Sequence, residues 1–243
     1  MIIIQAHDTD ADVNALSFAP DGSRLASSGS DDFLKVWDVS RLADATPVWM
    51  ADATEFGMSH LQYSPDGTLI FTCGGNSARV WPAGGVASQE FAHDPRGRQT
   101  HTSVMVCSTD GRYVAWTGGY LGSPARIFTA TVADRAFHRR LSGHKNAVGI
   151  LSAGPDGLVS GSADRWIKFW SWASGREYHA LSTRGYVRSL AVTRAGDKLA
   201  AACAGTVYVW PLELPPSQRG RRLPGKPVEL RGHAKATLCV DFS

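Results

Sequence analysis

The sequence is 243 residues long, with 43% hydrophobic and 19% charged residues. This is the composition of an ordinary globular chain with room for a full core, and it excludes a disordered or fibrous protein. The formal net charge of +3 gives no reason to expect a nucleic-acid binder or a membrane-surface protein. The 25 glycines and 12 prolines indicate many turns.

The chain begins with an apolar stretch, residues 1–4, that is too short for a signal-peptide core or a membrane span. We interpret residues 2–5 as a strand. The four cysteines are isolated, and no histidines show metal spacing apart from a weak pairing of His93 with His101. The sequence therefore predicts no metal, no cofactor and a reduced, cytoplasmic location.

Turn motifs recur along the chain at a nearly constant interval. A Pro-Asp-Gly or Thr-Asp-Gly turn occurs every 44 to 46 residues, and a rearranged Ala-Gly-Asp turn follows the last of them. The aspartates of these turns are Asp21, Asp66, Asp110, Asp156 and Asp197. Because glycine takes the positive φ that a tight connection requires, each motif predicts a hairpin between two strands.

An aromatic residue closes each unit, at intervals of 40 to 47 residues. These residues are Trp37, Trp81, Phe128, Trp170 and Trp210. The segments between the landmarks alternate in the manner of strands, and no window of 12 or more residues carries an apolar pattern of 3.6 residues. A repeat of this length is typical of solenoids and propellers. The sequence therefore predicts an all-β repeat protein.

The units resemble WD40 repeats over nearly the whole chain. The best copy runs from His144 to Trp170, and the first copy ends in the pair Trp37-Asp38 for which the repeat is named. The resemblance implies a β-propeller of four-stranded antiparallel blades, each of which buries the faces of its neighbours. We expect one domain over residues 1–243, with repeats at about 6–46, 47–87, 88–135, 136–174 and 175–226 and a partial repeat at 227–243.

In this family, a well-formed blade contains a hydrogen-bonded tetrad of His, Ser or Thr, Asp and Trp. Carried over residue by residue, the resemblance implies two structural tetrads, namely His7, Ser27, Asp31 and Trp37 in the first repeat and His144, Ser160, Asp164 and Trp170 in the fourth. Ser, His and Asp are also the residues of a hydrolase triad. Neither serine lies in the G-x-S-x-G turn that exposes such a nucleophile, so we interpret both sets as structural.

The remaining repeats depart from this pattern. The second has Thr72 and Trp81 but neither the Gly-His pair nor the turn aspartate in register, and the third has Phe128 as its closing aromatic. The fifth has an alanine-rich segment, residues 200–205, without Ser or Asp. We expect these blades to depend on apolar packing and to be the softer part of the ring.

The two ends of the chain do not complete a ring. Residues 232–243 match the start of a further copy, and residues 2–5 correspond to the outermost strand that closes a ring in this family. We therefore expect five complete blades plus an incomplete further blade. Two interpretations stay open: the chain is a fragment of a longer propeller, or it forms an irregular ring in which the ends adapt or a second chain supplies strands.

Two positions are candidates for partner binding. At the start of the third strand, Phe33 follows Asp32 in the first repeat and Trp166 follows Arg165 in the fourth. Aromatic and Arg side chains dominate interface energies, although these rings also suit packing between blades. The basic connection at residues 218–227 suits phosphate or an acidic peptide, or a solvated loop. Without interleaved aromatics it disfavours nucleic acid.

We expect a non-enzymatic scaffold that binds protein or peptide partners at its rim and channel mouth. The alternative is a docking or sensing domain separated from a larger signalling protein of the kinase or nucleotide-hydrolysing class. A propeller hydrolase is disfavoured because no convergent acidic or metal-binding cluster is visible. Fold alone does not dictate function, so the resemblance carries this expectation.

Overall fold

The computed structural model describes residues 6–8, 10–41, 46–53, 58–75, 77–85, 88–91, 101–119, 126–213, 222–232 and 237–242. Strands dominate this part of the chain, and a single 3-10 turn, Val39–Arg41, is its one helical element. No helix in the described ranges is long and apolar enough to cross a membrane.

The strands form five antiparallel sheets. The first contains β1 (Val13–Phe18), β2 (Arg24–Gly29), β3 (Phe33–Asp38) and β4 (Pro47–Asp52). The second contains β5 (Met58–Tyr63), β6 (Leu69–Gly74), β7 (Ser77–Pro82) and β8 (Gln89–Glu90). The third contains β9 (His101–Cys107), β10 (Tyr113–Gly119), β11 (Arg126–Thr131) and β12 (Phe137–Leu141).

The fourth and fifth sheets continue the same order. The fourth contains β13 (Val148–Gly154), β14 (Gly157–Ser162), β15 (Trp166–Trp170) and β16 (Glu177–Ser182). The fifth contains β17 (Val187–Val192), β18 (Lys198–Cys203), β19 (Thr206–Glu213) and an outer strand in two pieces, β20 (Leu223–Pro224) and β21 (Val228–Leu230), both paired with β19.

From the second repeat onward, each sequence repeat contributes to two sheets. The repeat at 47–87 begins with β4, the outermost strand of the first sheet, and then supplies β5, β6 and β7 of the second. The later repeats follow the same plan, and β21 at the start of the segment 227–243 belongs to the fifth sheet. Neighbouring sheets are therefore joined by the chain as well as by packing.

The predicted hairpin turns join the first and second strands of the sheets. In the second sheet the side chain of Asp66 accepts hydrogen bonds from the amide of Thr68 at 3.1 Å and from the hydroxyl of Ser64 at 2.5 Å. Gly67 follows with φ +72°, a conformation that a residue with a Cβ adopts only at a cost. Aspartate and glycine are thus both needed to reverse the chain here.

The core lies between the sheets. Leu34 and Val36 of the first sheet pack with Ile70 and Trp81 of the second, and similar apolar clusters join the second to the third, the third to the fourth and the fourth to the fifth. The innermost strands β1, β5, β9, β13 and β17 contact one another in that order. This arrangement confirms the predicted all-β fold of blades stacked side by side. The described residues do not close the ring.

The open end of the stack is visible in the exposure of equivalent residues. Leu16 pairs with Ser27 and Leu151 pairs with Ser160, so the two leucines occupy the same position in the first and fourth sheets. Leu151 is 5% exposed because the third sheet covers it, whereas Leu16 is 58% exposed. The side of the first sheet that carries its tetrad therefore has no sheet against it among the described residues.

The other end of the stack is partly covered by residues 237–242. The amide of Val240 donates to the hydroxyl of Ser189 on β17 at 3.1 Å, and Thr237 is buried. This segment lies beside the innermost strand of the fifth sheet, where a further copy would begin, although it forms no strand. The outer residues Val228 and Leu230 remain exposed. His233 and the predicted strand at residues 2–5 lie outside the described residues.

One landmark of the repeat was assigned wrongly. Trp37 pairs with Leu25, and the residue equivalent to Leu25 in the third sheet is Val114, which pairs with Ala130. Ala130, not Phe128, therefore occupies the tryptophan position. Trp116 replaces the tetrad serine and packs against Phe128, with ring centroids 6.0 Å apart. Aromatic packing thus fills the space that the polar network occupies in the first and fourth sheets.

Candidate functional site

The first sheet holds four hydrogen-bonded side chains in a row. Trp37 Nε1 donates to Ser27 Oγ at 2.9 Å, and this oxygen lies 2.9 Å from His7 Nε2. On the other side of the imidazole, Nδ1 lies 2.6 Å from Asp31 Oδ1. Gly29 allows the ring to lie this close, since a Cβ at that position would be 2.5 Å from His7 Nδ1.

The fourth sheet repeats the arrangement. Trp170 Nε1 donates to Ser160 Oγ at 2.8 Å, and this oxygen lies 2.8 Å from His144 Nε2. His144 Nδ1 lies 2.9 Å from Asp164 Oδ2, which also accepts the amide hydrogen of Lys145 at 2.7 Å. In each of the two sheets, the structure thus brings together the four residues of the predicted tetrad.

The hydrogen-bond chemistry assigns one tautomer to both histidines. A carboxylate only accepts, so the ring nitrogen facing it, Nδ1, carries the hydrogen, and Nε2 accepts the hydroxyl hydrogen of the serine. The serine oxygen in turn accepts from the indole N–H. Each buried polar atom in the row therefore has a partner, which is the condition under which such a network stabilises a fold.

The electrostatics keep each aspartate charged. Burial acts to raise the pKa of Asp164, but hydrogen bonds from the Lys145 amide and from His144 outweigh it and hold the pKa below its ordinary value. Burial also acts to raise the pKa of Asp31, but hydrogen bonds, of which that with His7 is the strongest, hold this pKa below its ordinary value. Burial lowers the pKa of His144 in spite of the neighbouring carboxylate, so its ring stays neutral near pH 7.

A tetrad has the residue types of a hydrolase but not the access that a hydrolase needs. Ser160 is 0% exposed, and its hydroxyl is already hydrogen-bonded to Trp170 Nε1 and His144 Nε2. A catalytic nucleophile must reach a substrate carbonyl beside an oxyanion hole. The geometry therefore favours a structural role for both serines.

The second and fifth sheets retain less of the network. In the second, Trp81 Nε1 donates to Thr72 Oγ1 at 2.8 Å. In the fifth, Ala201 occupies the serine position and is packed in the apolar cluster with Trp210. The network is thus longest in the two sheets for which the sequence predicts it.

The candidate partner-binding residues occupy equivalent turns. Asp32 and Arg165 both have positive φ, at 63° and 68°. The carbonyl of each is held by the segment after the sheet's outer strand, Asp32 by the amide of Ala53 at 2.7 Å and Arg165 by the amide of Thr183 at 2.8 Å. This left-handed turn was not predicted from the sequence, although a tetrad aspartate precedes both residues.

The aromatic residues that follow these turns differ in exposure. Phe33 is partly buried, with Lys35 Nζ 5.5 Å from its ring centroid. Trp166 is 41% exposed and borders a groove of about 540 Å³ between the fourth and fifth sheets. Arg184, Tyr208 and Glu229 also line this groove and were not singled out from the sequence. They lie far apart along the chain, and sheet packing alone brings them together.

The basic connection after the fifth sheet is described only in part. Arg222 is tied to the body of the protein, since its Nη1 donates to the carbonyl of Ala195 at 2.8 Å and lies 3.8 Å from Asp156 Oδ2. Arg219 and Arg221 lie outside the described residues. Arg222 is therefore engaged within the fold.

Other reactive groups give no site in the described ranges. No group of three or more His, Cys, Asp or Glu side chains could hold a metal ion there. His93 and the side chain of His101 are outside the description. Burial raises the pKa of the Cys73 and Cys107 thiols to about 12, which suppresses their nucleophilicity.

Comparison with known proteins agrees with the geometry. The family model described as WD domain, G-beta repeat matches residues 1–38, 51–82 and 136–171. These segments include the innermost three strands of the first, second and fourth sheets, all of which retain the tryptophan hydrogen bond. Three segments of the chain therefore match WD40 repeats, and the antiparallel sheets to which they belong are consistent with the blades of a β-propeller.

Three relatives illustrate the similarity. Apoptotic protease-activating factor 1 of Danio rerio is 26% identical over 95% of this chain and 17% of its own length. WD repeat-containing protein 18 of Homo sapiens is 25% identical over 80% of this chain and 48% of its own length. Anaphase-promoting complex subunit cdc20 of Dictyostelium discoideum is 26% identical over 65% of this chain and 32% of its own length. The chain spans less than half the length of each.

Proposed function

We propose that this chain is a non-catalytic platform that binds a protein or peptide partner at the turns carrying Asp32, Phe33, Arg165 and Trp166. The observation that carries the proposal is the exposure of Trp166 beside a groove. A tryptophan held on a packed sheet offers a large contact area at small entropic cost. The tetrad next to it fixes the turn, so the surface is preorganised before a partner arrives.

The fourth sheet makes this surface rigid. Asp164 Oδ1 accepts the amide hydrogen of Trp166 at 3.0 Å, while its other carboxylate oxygen is bound by His144 and Lys145. The turn is therefore linked through the tetrad to the buried core. A platform of this kind needs no moving part, and its polar network serves positioning instead of chemistry.

Quantitative affinity capture with the intact protein tests the proposal. Partners that bind these turns are enriched on the wild type and lost on a variant with Phe33→Ala and Trp166→Ala. Phe18→Ala is the matched control, because Phe18 is an exposed aromatic on the open side of the first sheet. Partners retained by the double variant but lost with Phe18→Ala contradict binding at these turns.

A second candidate is a docking domain within a larger signalling protein. It is favoured by the similarity to apoptotic protease-activating factor 1 of Danio rerio, of which the matched region is 17%. The DNA flanking the gene tests this candidate, since the candidate predicts an adjoining open reading frame with further repeats or an enzymatic domain.

The open side of the first sheet is also suited to a further blade or a second subunit, and light scattering in solution distinguishes a monomer from an assembly. The buried thiols support a cytoplasmic location, which fractionation checks.

A further inference from the structure

The groove beside Trp166 has two walls from different sheets. Ser182, Thr183 and Arg184, at the end of β16, form one wall, and Pro227 and Glu229 of the outer part of the fifth sheet form the other. The aromatic side chains of Trp166 and Tyr208 lie along it. It is therefore a cleft in which aromatic side chains lie beside polar and charged ones, a combination that suits peptide binding.

Its shape suits an extended segment. In the described part of the chain β16 pairs only with β15, so its second edge is not used by the sheet. An extended peptide can hydrogen-bond to such an edge while alternate side chains enter the cleft. The wall from Ala180 to Arg184 spans roughly 15 Å at about 3.3 Å per residue, enough for four or five peptide residues.

The charges around the groove are unbalanced. Two guanidinium groups, those of Arg184 and Arg231, pair with a single carboxylate, Glu229. Arg231 Nη2 already holds Glu229 Oε2 at 2.5 Å, while Arg184 Nη2 lies 3.7 Å from Oε1 and the Arg184 side chain is 74% exposed. Arg184 can therefore turn to an incoming carboxylate without leaving Glu229 unpaired. The surplus positive charge favours an acidic ligand.

We propose that this groove binds an extended acidic peptide segment, with a large apolar side chain between Trp166 and Tyr208 and a Glu or Asp side chain on Arg184. This inference rests on the proposed platform function and deepens it by naming the chemistry of the partner. Tyr208 is fixed for this role by stacking on Trp210, with ring centroids 5.5 Å apart. The ligand carboxylate displaces water and the 3.7 Å contact with Glu229 from an exposed guanidinium, so binding is salt-dependent and of moderate strength.

Fluorescence anisotropy with two labelled nine-residue peptides tests the inference on the full chain. One peptide alternates leucine with glutamate, and the other alternates leucine with lysine. The glutamate peptide binds at least about tenfold more tightly, and the difference shrinks as NaCl is raised from about 50 to about 500 mM. Equal binding of both peptides, or no binding of the glutamate peptide at about 1 mM, overturns the inference.

Four variants locate the binding. Arg184→Glu weakens the glutamate peptide about tenfold or more and strengthens the lysine peptide, whereas Arg194→Glu, a charge reversal at the exposed turn between β17 and β18, changes neither by more than about twofold. Trp166→Ala also lowers the affinity for the glutamate peptide about tenfold, and Trp166→Phe retains part of that affinity. Thermal unfolding checks that each variant folds. Equal effects of Arg184→Glu and Arg194→Glu contradict binding in the groove.

The outcome is separable from that of the platform proposal. If the chain binds the two peptides equally while affinity capture still depends on Phe33 and Trp166, the platform proposal stands and the acidic-peptide inference falls. When the affinity-capture partners survive the double variant as well, both fall.

Discussion

Removing one hydroxyl from the fourth sheet isolates the energetic contribution of a tetrad. Ser160→Ala leaves the indole N–H of Trp170 and the Nε2 of His144 without the atom that joins them, in a site where Ser160 is fully buried. A buried polar group that loses its partner costs about 1 to 3 kcal/mol, because the desolvation penalty is no longer offset. Two groups lose their partner, but relaxation of the surrounding side chains recovers part of the loss. We therefore expect the free energy of unfolding of the variant to fall by about 1 to 3 kcal/mol in total.

The chain offers a matched control for this measurement. Ser28 is equally buried, yet its hydroxyl has no hydrogen-bond partner among the described residues. Ser28→Ala removes the same atom without stranding a partner and is expected to be neutral or slightly stabilising. Thermal unfolding suits the comparison, because a chain of this size shifts its Tm by about 2 to 4 °C for each kcal/mol.

A double-mutant cycle sharpens the test. In a Trp170→Phe background the indole N–H is already absent, so Ser160→Ala strands only His144 and costs less than in the wild type. Equal shifts for Ser160→Ala and Ser28→Ala, or additive effects of Ser160→Ala and Trp170→Phe, would refute the network as a source of stability.

Two further predictions follow from exposure and from pH. Leu151→Ala is expected to lower the free energy of unfolding by about 2 to 5 kcal/mol and Leu16→Ala by less than about 0.5 kcal/mol, because only the former leaves a cavity. Chemical denaturation measures both values. Equal losses would mean that the open side of the first sheet is covered in solution. Stability should also fall as the pH is lowered. Burial lowers the pKa of His144 from 6.5, so the unfolded chain takes up the proton first and stability declines below about pH 6.5. The lowered pKa of Asp164 contributes stability above its ordinary value of 3.8, which is lost as the pH falls through the folded-state pKa. Denaturation midpoints between pH 8 and pH 3 check both, with His144→Gln expected to reduce the first decline.

The polar landmarks could be predicted from the sequence because they have fixed local positions. In the first three sheets the serine position lies five residues after the turn glycine, at Ser27, Thr72 and Trp116. The same count would have found Trp116 and prevented the misassignment of Phe128. The interval between aromatics misled because the connection between β10 and β11 is longer than its counterparts and shifts the third strand.

The groove could not be predicted from the sequence. Trp166 was found by its chemistry at a known repeat position, but Arg184 and Glu229 gain meaning only when the end of β16 and the outer strand of the fifth sheet lie opposite each other. No local spacing encodes that distance. Sequence patterns therefore identify what a blade contains, while the packing of blades decides which surfaces face each other.

The offset between repeats and sheets bears on how such a chain can change length over evolution. Excision of residues 47–87 at the DNA level removes β4 together with β5, β6 and β7, and the next outer strand, β8, then follows β3 directly. Every surviving sheet keeps four strands, and no half-built unit remains. Loss of one full repeat therefore lowers the number of sheets by one and keeps the inner-to-outer strand order of the others, with the outer strand of the first sheet now supplied by the following repeat.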